Sequence, residues 1–335
     1  MYILGLESSC DETSAAVVEM SESGRYIRSN IVASQIDVHR LYGGVVPEIA
    51  SRAHIEAISK ITYEALDKAG ITLSDVGAIG VTAFPGLIGA LLVGVNFAKS
   101  LAYANNIPLV AVNHVHGHVS AALLSDMSLE APFLALVVSG GHTSIYKVNS
   151  YTDYEEIGST RDDAVGESFD KVGRVIGMPY PGGAALDKLA YEGDPRAISF
   201  PSPAIAGDNL DFSFSGLKTA ALNYINQIEQ RGEELPRADI AASYTYAVKK
   251  AIIKKISMAL DITGMKTLVM AGGVAANSHL RLAMEELCKD KNVSFVCPPL
   301  SLCGDNAAMI GAAAYYEFLR GNFADTSLNA SAVEV

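Results

Sequence analysis

Two histidines four residues apart form the pair in this sequence whose spacing is best suited to chemistry. His114 and His118 belong to the segment HVHGH. On a helix this spacing places both imidazoles on one face, which is a common way to supply two ligands of a metal site. His116 lies roughly 200° further round such a helix and cannot join them. The pair is equally compatible with a surface patch or with buried histidines that have hydrogen-bond partners.

Three turns rich in small or acidic residues follow predicted strands. Their sequences are ESSCDET at 7–13, SGGHT at 139–143 and AGGVAAN at 271–277. Glycine lets backbone N–H groups approach a phosphate closely, and a following helix N-terminus favours anions. A single Gly-Gly pair is more often a plain tight turn. The acidic residues of the first turn would repel a phosphate unless a metal ion or a proton intervened. Together the three turns favour a phosphate-bearing ligand.

Composition limits the classes of protein that fit. The 335 residues are half hydrophobic, only 19% charged and carry a net charge of −12. This predicts two lobes with large cores and excludes a disordered chain. The negative charge argues against unaided nucleic-acid binding, which depends on phosphate neutralisation by Lys and Arg. The four cysteines form no C-x-x-C pair, and no secretory signal is evident. We therefore expect reduced thiols in a cytoplasmic protein without a thiolate zinc site.

An uncharged run from Val76 to Ala98 is long enough to cross a membrane. Pro85 interrupts this run and several glycines punctuate it. A buried strand, a Pro-Gly turn and a buried helix explain the pattern better. We therefore predict no membrane association.

The predicted elements repeat the same order in each half of the chain, with three strands followed by alternating helices and strands. In the first half we predict strands at 2–9, 13–20, 26–34, 78–84 and 108–113, and helices at 47–68, 87–105 and 114–126. In the second half we predict strands at 132–139, 143–149, 154–160, 267–272 and 294–298, and helices at 163–177, 183–192, 216–231, 237–262, 277–289 and 305–320.

This repetition predicts an α/β fold of two lobes with a duplicated core and a cleft between the lobes. Residues 1–130 form the first lobe, onto which a C-terminal helix at 305–322 is expected to pack back. Residues 131–304 form the second lobe, with an irregular insertion near 194–215. The plan, with its glycine turns, is similar to the actin, hexokinase and heat-shock ATPase superfamily, in which two hairpin loops hold phosphates and a later Gly-Gly loop holds adenosine.

A closer resemblance covers nearly the whole chain. The sequence resembles the tRNA N6-adenosine threonylcarbamoyltransferase family, once described as O-sialoglycoprotein endopeptidases, and the motifs keep the family's order. The segments that carry the resemblance are GLESSCDETS, NHVHGH (113–118), VVSGGHTSIY (137–146), ESFDKVGR (167–174), YPGGAALD (180–187), FSFSGLKTA (212–220), AGGVAAN (271–277) and CGDNAAMIG (303–311).

The resemblance implies one divalent metal ion per chain, bound by His114, His118 and Asp305. Taken alone, Asp305 would be assigned as the N-cap of the last helix. Two histidines and one carboxylate leave positions open for substrate and suit Fe(II) or Zn(II). A zinc peptidase needs H-E-x-x-H, whereas Val115 follows His114 here, and His116 stands where the family more often has Glu.

The resemblance also implies an adenine-nucleotide site for threonylcarbamoyl-AMP, with ATP as a possible second ligand. Asp170 and Asp187 could otherwise be solvated helix acids, and Asn277 could cap the helix that follows it. The residues assigned to this site by the resemblance are Val137, Val138, Ser139, Gly140, Gly141, Asp170, Gly183, Asp187 and Asn277.

The implied reaction transfers the threonylcarbamoyl group to N6 of the adenosine 3′ of the anticodon, in tRNAs that read codons beginning with A. Asp11 is the candidate general base, although Asp is also a common turn residue. Lys249, Lys250, Lys254 and Lys255, with Arg52 and Lys60, are candidate tRNA contacts or simply a solvated face. The helices at 47–68 and 87–105 could dock partners, although burial in the chain's own core explains them better.

Other readings of the same fold are an ATP-dependent kinase or chaperone-like ATPase, a metallopeptidase and a nucleotide-binding scaffold. The kinase or chaperone has no need of the histidine pair, and the peptidase lacks its motif. The resemblance implies partner proteins as well as tRNA. These are a smaller actin-like paralogue and a P-loop ATPase in bacteria, or a kinase-containing complex in archaea and eukaryotes.

Overall fold

The computed structural model describes residues 1–202 and 209–333, which form two compact units. Unit 1 comprises Met1–Glu130, Ser150–Asp153 and Pro298–Val335, and unit 2 comprises Ala131–Asn149 and Tyr154–Cys297. Each unit contains one five-stranded mixed sheet. The chain therefore returns to unit 1 at its C-terminal end, which brings the segment containing Asp305 into the same unit as the histidine pair.

Unit 1 has a sheet in the order β3-β2-β1-β4-β5. Strands β1, β2 and β3 pair antiparallel, whereas β1, β4 and β5 run parallel. The strands are Tyr2–Glu7 (β1), Glu12–Ser21 (β2), Gly24–Ser34 (β3), Val76–Phe84 (β4) and Leu109–Asn113 (β5), and the helices are Ile36–Arg40 (α1), Pro47–Ala69 (α2), Ile88–Asn105 (α3), His114–Ser125 (α4), Leu300–Cys303 (α10) and Ala307–Arg320 (α11).

Helices cover both faces of this sheet, which explains why β1 and β4 are almost continuously apolar. One core includes Leu4, Leu6 and residues of α2 and α3. The other core includes Ile3 and residues of α4 and α11. Contacts at Gly5 bring α11 close to β1, because a Cβ at this position would collide with the carbonyl oxygen of Ala307. This packing fixes the start of α11 beside the end of the sheet.

Unit 2 repeats the same sheet order as β10-β9-β6-β7-β8. Strand β6 pairs antiparallel with β7 and parallel with β9. The strands are Phe133–Val138 (β6), Thr143–Ser150 (β7), Asp153–Ser159 (β8), Thr267–Ala271 (β9) and Ser294–Val296 (β10), and the helices are Val165–Val175 (α5), Gly182–Leu189 (α6), Ser215–Gln230 (α7), Arg237–Thr263 (α8) and Ser278–Lys291 (α9).

The predicted order of strands and helices is confirmed, including its repetition. Among the described elements, α1 at Ile36–Arg40, α10 at Leu300–Cys303 and the 3₁₀ turns at Leu73–Asp75 and Gly273–Ala276 were not predicted from the sequence. The described parts of the predicted insertion, 194–202 and 209–214, contain no helix or strand apart from an isolated bridge at Phe212, whereas residues 203–208 lie outside the described residues. Within the described residues, none of the helices is long and apolar enough to cross a membrane.

One expectation about the surface of this chain is wrong, and another is confirmed. Lys255 does not belong to an exposed basic patch, because its side chain is buried and its Nζ donates to the backbone oxygen of Asn209 at 2.6 Å. Helix α2 buries Ile58, Ile61 and Ala65, which confirms that its apolar face belongs to the core. Its outer face still exposes Ile55 and Tyr63.

Candidate active site

The histidine pair of unit 1 lies on the first turns of α4, immediately after β5. Asn113 ends the strand and caps the helix, since its side chain accepts from the backbone N–H of Val115 at 2.8 Å. This cap starts the helix at His114 and places His118 one turn later on the same face. The two rings lie edge to face, with centroids 4.7 Å apart. The local sequence alone is therefore sufficient to bring the two imidazoles together.

Asp305 lies in the turn between α10 and α11 and faces both histidines. Its Oδ1 is 3.5 Å from Nε2 of His114 and 3.2 Å from Nε2 of His118. Gly117, between the two histidines, allows this approach because a Cβ there would lie 2.7 Å from Cδ1 of Ile310 on α11. The N-cap of α11 is Asn306, whose side chain accepts from the N–H of Met309. The capping role considered for Asp305 is therefore wrong.

The three side chains fit a divalent metal ion. One ligand atom from each lies within 4.8 Å of the other two. Bonds of 2.0–2.1 Å to a tetrahedral ion would place ligand atoms about 3.3 Å apart. In the described part of the chain, neither buried ring nitrogen of His118 has a hydrogen-bond partner, and a bond to a metal ion would satisfy Nε2, the nitrogen that faces Asp305. His116 lies outside this cluster, as its helix position predicts, and burial lowers its pKa to about 4.

The buried carboxylate of Glu7 contacts His114 on the ring edge opposite Asp305. Glu7, at the end of β1, is 1% exposed, and its Oε2 lies 3.0 Å from Nδ1 of His114. Burial opposes ionisation of Glu7, but the charge and hydrogen bond of His114 outweigh it and lower the pKa of this carboxyl. Burial likewise disfavours a charged His114, yet Asp305 and Glu7 raise its pKa to about 9. In the absence of a metal ion, a proton on His114 balances these two carboxylates.

Two further acidic residues, Asp11 and Glu12, lie where the loop after β1 meets the start of β2. Asp11, the predicted base, is buried, and its backbone oxygen accepts from the N–H of Gln35 at 3.0 Å. Glu12 accepts from Oγ of Ser34 at 3.0 Å. Burial, followed by the charges of Asp305 and Asp11, raises the pKa of Glu12 to about 9. Glu7 and Glu12 were not among the residues predicted for the site, although the run of acids in ESSCDET was the available signal.

The glycine turn of unit 2 follows β6, whose last residues Val137 and Val138 are fully buried. Ser139 closes the turn, because its Oγ accepts from the N–H of His142 at 3.0 Å. A Cβ at Gly140 or Gly141 would meet nothing within 4 Å. Neither glycine has a left-handed backbone. Their lack of a side chain therefore leaves open space, into which the backbone N–H groups can bind an anion.

The N-terminus of α5 packs directly on this turn. The N–H of Gly166 donates to the backbone oxygen of Ser139 at 3.2 Å, and the N–H of Val165 donates to Oγ1 of Thr143 at 2.9 Å. Helix α5 therefore directs the positive end of its dipole towards the glycine turn. This arrangement favours a phosphate near Ser139, Gly140 and Gly141.

The remaining predicted nucleotide residues are brought together in pairs within unit 2. Oδ1 of Asp170 accepts from the N–H of Gly183 at 2.8 Å, which links α5 to the start of α6. Oδ2 of Asp187 accepts from Oγ of Ser278 at 2.8 Å, beside Asn277. Asn277 also caps α9 through the N–H of Leu280. Each of these side chains thus has a structural contact, and their contacts with a nucleotide stay predictions.

The chain matches known proteins over almost its entire length. A family model described as tRNA N6-adenosine threonylcarbamoyltransferase matches residues 26–312. A relative of that name from Clostridium botulinum (strain 657 / Type Ba4) is 52% identical over 98% of this chain and 96% of its own length. Another from Moorella thermoacetica is 53% identical over 98% of this chain and 95% of its own length.

Solved structures with much lower sequence identity share the fold. The component A of (R)-2-hydroxyglutaryl-CoA dehydratase from Acidaminococcus fermentans has a TM-score of 0.55 at 16% identity, over 94% of this chain and 97% of that one. HypF from T. kodakarensis has a TM-score of 0.64 at 13% identity, over 98% of this chain and 49% of that one. A ROK hexokinase from Thermus thermophilus has a TM-score of 0.50 at 17% identity, over 95% of this chain and 100% of that one.

These structural likenesses, together with the repeated sheet order, confirm the predicted two-lobed α/β fold of the actin and hexokinase type. At such low identities they bear on the fold alone. The family model and the curated relatives, by contrast, match in sequence over nearly the whole chain. The chain belongs to the tRNA N6-adenosine threonylcarbamoyltransferase family.

Proposed function

We propose that this chain transfers the threonylcarbamoyl group of threonylcarbamoyl-AMP to N6 of the adenosine 3′ of the anticodon, in tRNAs that read codons beginning with A. The observation that carries the proposal is the cluster of His114, His118 and Asp305 in a member of this family. A kinase, a chaperone-like ATPase or a nucleotide-binding scaffold of the same fold would have no use for two histidines and a carboxylate at one point.

His114, His118 and Asp305 would hold one divalent ion, and this ligand set suits Fe(II) or Zn(II). Such an ion supplies Lewis-acid polarisation of a carbonyl. The carbamoyl carbonyl needs strong activation, because the exocyclic amine of adenine is a poor nucleophile whose lone pair is delocalised into the ring. The mixed anhydride of the substrate also activates this carbonyl, since AMP is a good leaving group.

The glycine turn and the N-terminus of α5 would bind the phosphate of the adenylate through backbone N–H groups at Ser139, Gly140 and Gly141. Asp170, Gly183, Asp187 and Asn277 would surround the ribose and adenine, and Val137 and Val138 would support the turn from the sheet. The carboxylate oxygens of Asp187 already accept from Ser278 and His279, so a ribose hydroxyl would have to replace one of these hydrogen bonds.

The transfer requires the N6 amine to attack the carbamoyl carbonyl carbon while the bond to the AMP oxygen breaks. One proton must leave N6, and we propose that Asp11 accepts it, with Glu12 at the start of β2 as the neighbouring carboxyl. The target adenosine must lie in an unstacked loop, because a paired base could not reach a recessed site. Lys250 and Lys254, exposed on α8, are candidate phosphate contacts.

The proposal includes partner proteins and a cytoplasmic location. A smaller actin-like paralogue and a P-loop ATPase are the partners expected in a bacterium, and a kinase-containing complex is expected elsewhere. The net charge of −12 supports the need for partners, since unaided tRNA binding depends on basic residues.

The test is mass analysis of tRNA nucleosides from cells depleted of this protein. We expect threonylcarbamoyladenosine to disappear on depletion and to return when the wild-type chain is expressed. A chain carrying His118→Ala should not restore it, whereas His116→Gln should restore most of it. Normal levels of the modified nucleoside after complete depletion would refute the proposed function.

A further inference from the structure

Glu7 is a buried carboxylate that contacts the proposed metal ligand His114 but is not itself one of the three proposed ligands. Its side chain is fully buried at the end of β1. Its Oε1 accepts from the N–H of Ser9 at 2.5 Å, and its Oε2 accepts from Oγ1 of Thr82 at 2.6 Å. The same Oε2 lies 3.0 Å from Nδ1 of His114. We propose that Glu7 is a positioning residue, whose carboxylate holds His114 with Nδ1 as the hydrogen-bond donor and Nε2 directed at the metal ion.

The proposal follows first from the donors and acceptors at this point. An ionised carboxylate can only accept hydrogen bonds. The N–H of Ser9 and the hydroxyl of Thr82 already donate to Glu7, so the contact with His114 requires Nδ1 to carry the hydrogen. In the neutral imidazole with its hydrogen on Nδ1, Nε2 carries the lone pair, and this is the form that binds a metal ion. Oγ of Ser9 also lies 3.1 Å from Nδ1, but a hydroxyl could accept or donate.

The second argument is the direction of the ring. Nδ1 of His114 faces Glu7, while Nε2 lies 3.5 Å from Oδ1 of Asp305. The carboxylate and the ligand Asp305 therefore lie on opposite edges of one imidazole. Carboxylates placed behind a metal-binding histidine orient the ring and increase its basicity, and removing one typically costs 10–100-fold in metal affinity.

His118 provides the contrast. Its two ring nitrogens are buried, and in the described residues neither has a hydrogen-bond partner. Nε2 of His118 lies 3.2 Å from Oδ1 of Asp305, but its Nδ1 has no hydrogen-bond partner among the described residues. Nδ1 of His114, by contrast, contacts a carboxylate that is itself anchored to β4 through Thr82. The two ligands should differ in how strongly a neighbouring residue fixes their tautomer.

A purely structural role for Glu7 is the alternative. It would use the bonds to Ser9 and Thr82 to hold the loop that begins at Ser8, and His114 would be incidental. The two roles differ in what Glu7→Gln does. An amide can satisfy Ser9 through its oxygen, but its NH₂ group would then face Thr82 and Nδ1 of His114. That arrangement favours the hydrogen on Nε2 and blocks metal binding without removing the loop's anchor.

The experiment measures zinc binding and the tautomer of His114, and it uses neither tRNA nor adenylate. The inference rests on the proposed function for its metal ion, but its readout is independent of transfer activity. Zn(II) affinity is determined by competition with a chromogenic chelator, in the wild-type chain, in Glu7→Gln and in Thr82→Val. Thr82→Val is the matched control, because it removes one hydrogen bond to Glu7 and leaves the contact with His114 intact. Thermal unfolding reports whether each variant is folded.

We expect Glu7→Gln to lower Zn(II) affinity by about 10–100-fold, and Thr82→Val to lower it by no more than about threefold while reducing the melting temperature. Equal affinities in Glu7→Gln and the wild type would overturn the proposal. If Glu7→Gln does not fold, ¹⁵N NMR of histidine-labelled wild-type protein with Zn(II) decides. The hydrogen of His114 must be on Nδ1, and a hydrogen on Nε2 would refute the positioning role.

Discussion

Oδ1 of Asp305 lies 3.2 Å from Nε2 of His118, although His118 is on α4 and Asp305 precedes the last helix of the chain. This distance is long for a hydrogen bond between an imidazole and a carboxylate, and it matches the spacing of two ligands on one metal ion. The three side chains of the candidate metal site therefore all belong to unit 1, and the first prediction concerns them.

Removing both histidines should abolish metal binding. We expect the wild-type chain to carry one divalent ion and His114→Ala/His118→Ala to carry almost none, because Asp305 alone leaves too few ligands. Elemental analysis of purified protein measures the content. His116→Gln on the same helix is the control and should retain the metal. Unchanged metal content in the double variant would place the site elsewhere.

The glycine turn gives a second prediction. Gly141→Val should weaken binding of an adenine nucleotide at least about tenfold, because the side chain would fill space that a phosphate needs. The variant should fold normally, since a Cβ at Gly141 meets nothing within 4 Å. Isothermal calorimetry measures the binding.

Gly216→Val is the matched control for this substitution. A Cβ at Gly216 also meets nothing within 4 Å, and the residue lies on α7 outside the predicted nucleotide residues. It should bind nucleotide as the wild type does. Wild-type affinity in Gly141→Val would remove the turn from the nucleotide site.

Glu12 should make the stability of the metal-free protein depend on pH. Its pKa rises from 4.5 to about 9 on folding, mainly through burial. A carboxyl with a raised pKa stabilises the fold fully below its unfolded pKa, and this contribution is lost as the pH rises from about 4.5 towards 9. Glu12→Gln should therefore stabilise the metal-free chain at pH 8 and have little effect at pH 4.

The size of this effect is on the order of 1–2 kcal/mol, because Glu12 is only partly buried and solvent screens part of its charge. Urea unfolding at the two pH values measures it, and Glu22→Gln serves as an exposed control that should change stability little. A Glu12→Gln variant that is no more stable than wild type at pH 8 would show that Glu12 ionises without cost.

The last prediction concerns partner proteins. Purified chain, tRNA and threonylcarbamoyl-AMP should give little turnover until the partners are added, because the net charge of −12 disfavours tRNA capture. Quantifying threonylcarbamoyladenosine over time measures turnover. Sustained multiple turnover by the isolated chain would contradict the need for partners and leave the transferase proposal standing.

Local patterns in the sequence were sufficient to predict the strands and helices and to place two of the three candidate metal ligands together. The alternation of apolar residues and the Gly and Pro punctuation predicted the repeated order of strands and helices, because secondary structure depends on periodicities over a few residues. The four-residue spacing of His114 and His118 placed both rings on one helical face for the same reason. The run of acids in ESSCDET marked the first loop, but it did not separate the roles of Glu7, Asp11 and Glu12.

Tertiary structure decided which distant residues complete the site. The sequence around Asp305 suggested an N-cap, and only the packing of α11 on β1 at Gly5 and on α4 at Gly117 turns its carboxylate towards the histidines. The contact of Glu7 with His114 likewise depends on the neighbouring positions of β1, β4 and α4. Lys255 carries a charge that predicted exposure, yet its helix buries it against Asn209. Such contacts join residues far apart in the chain, and their distances are set by how whole elements pack, which no local pattern encodes.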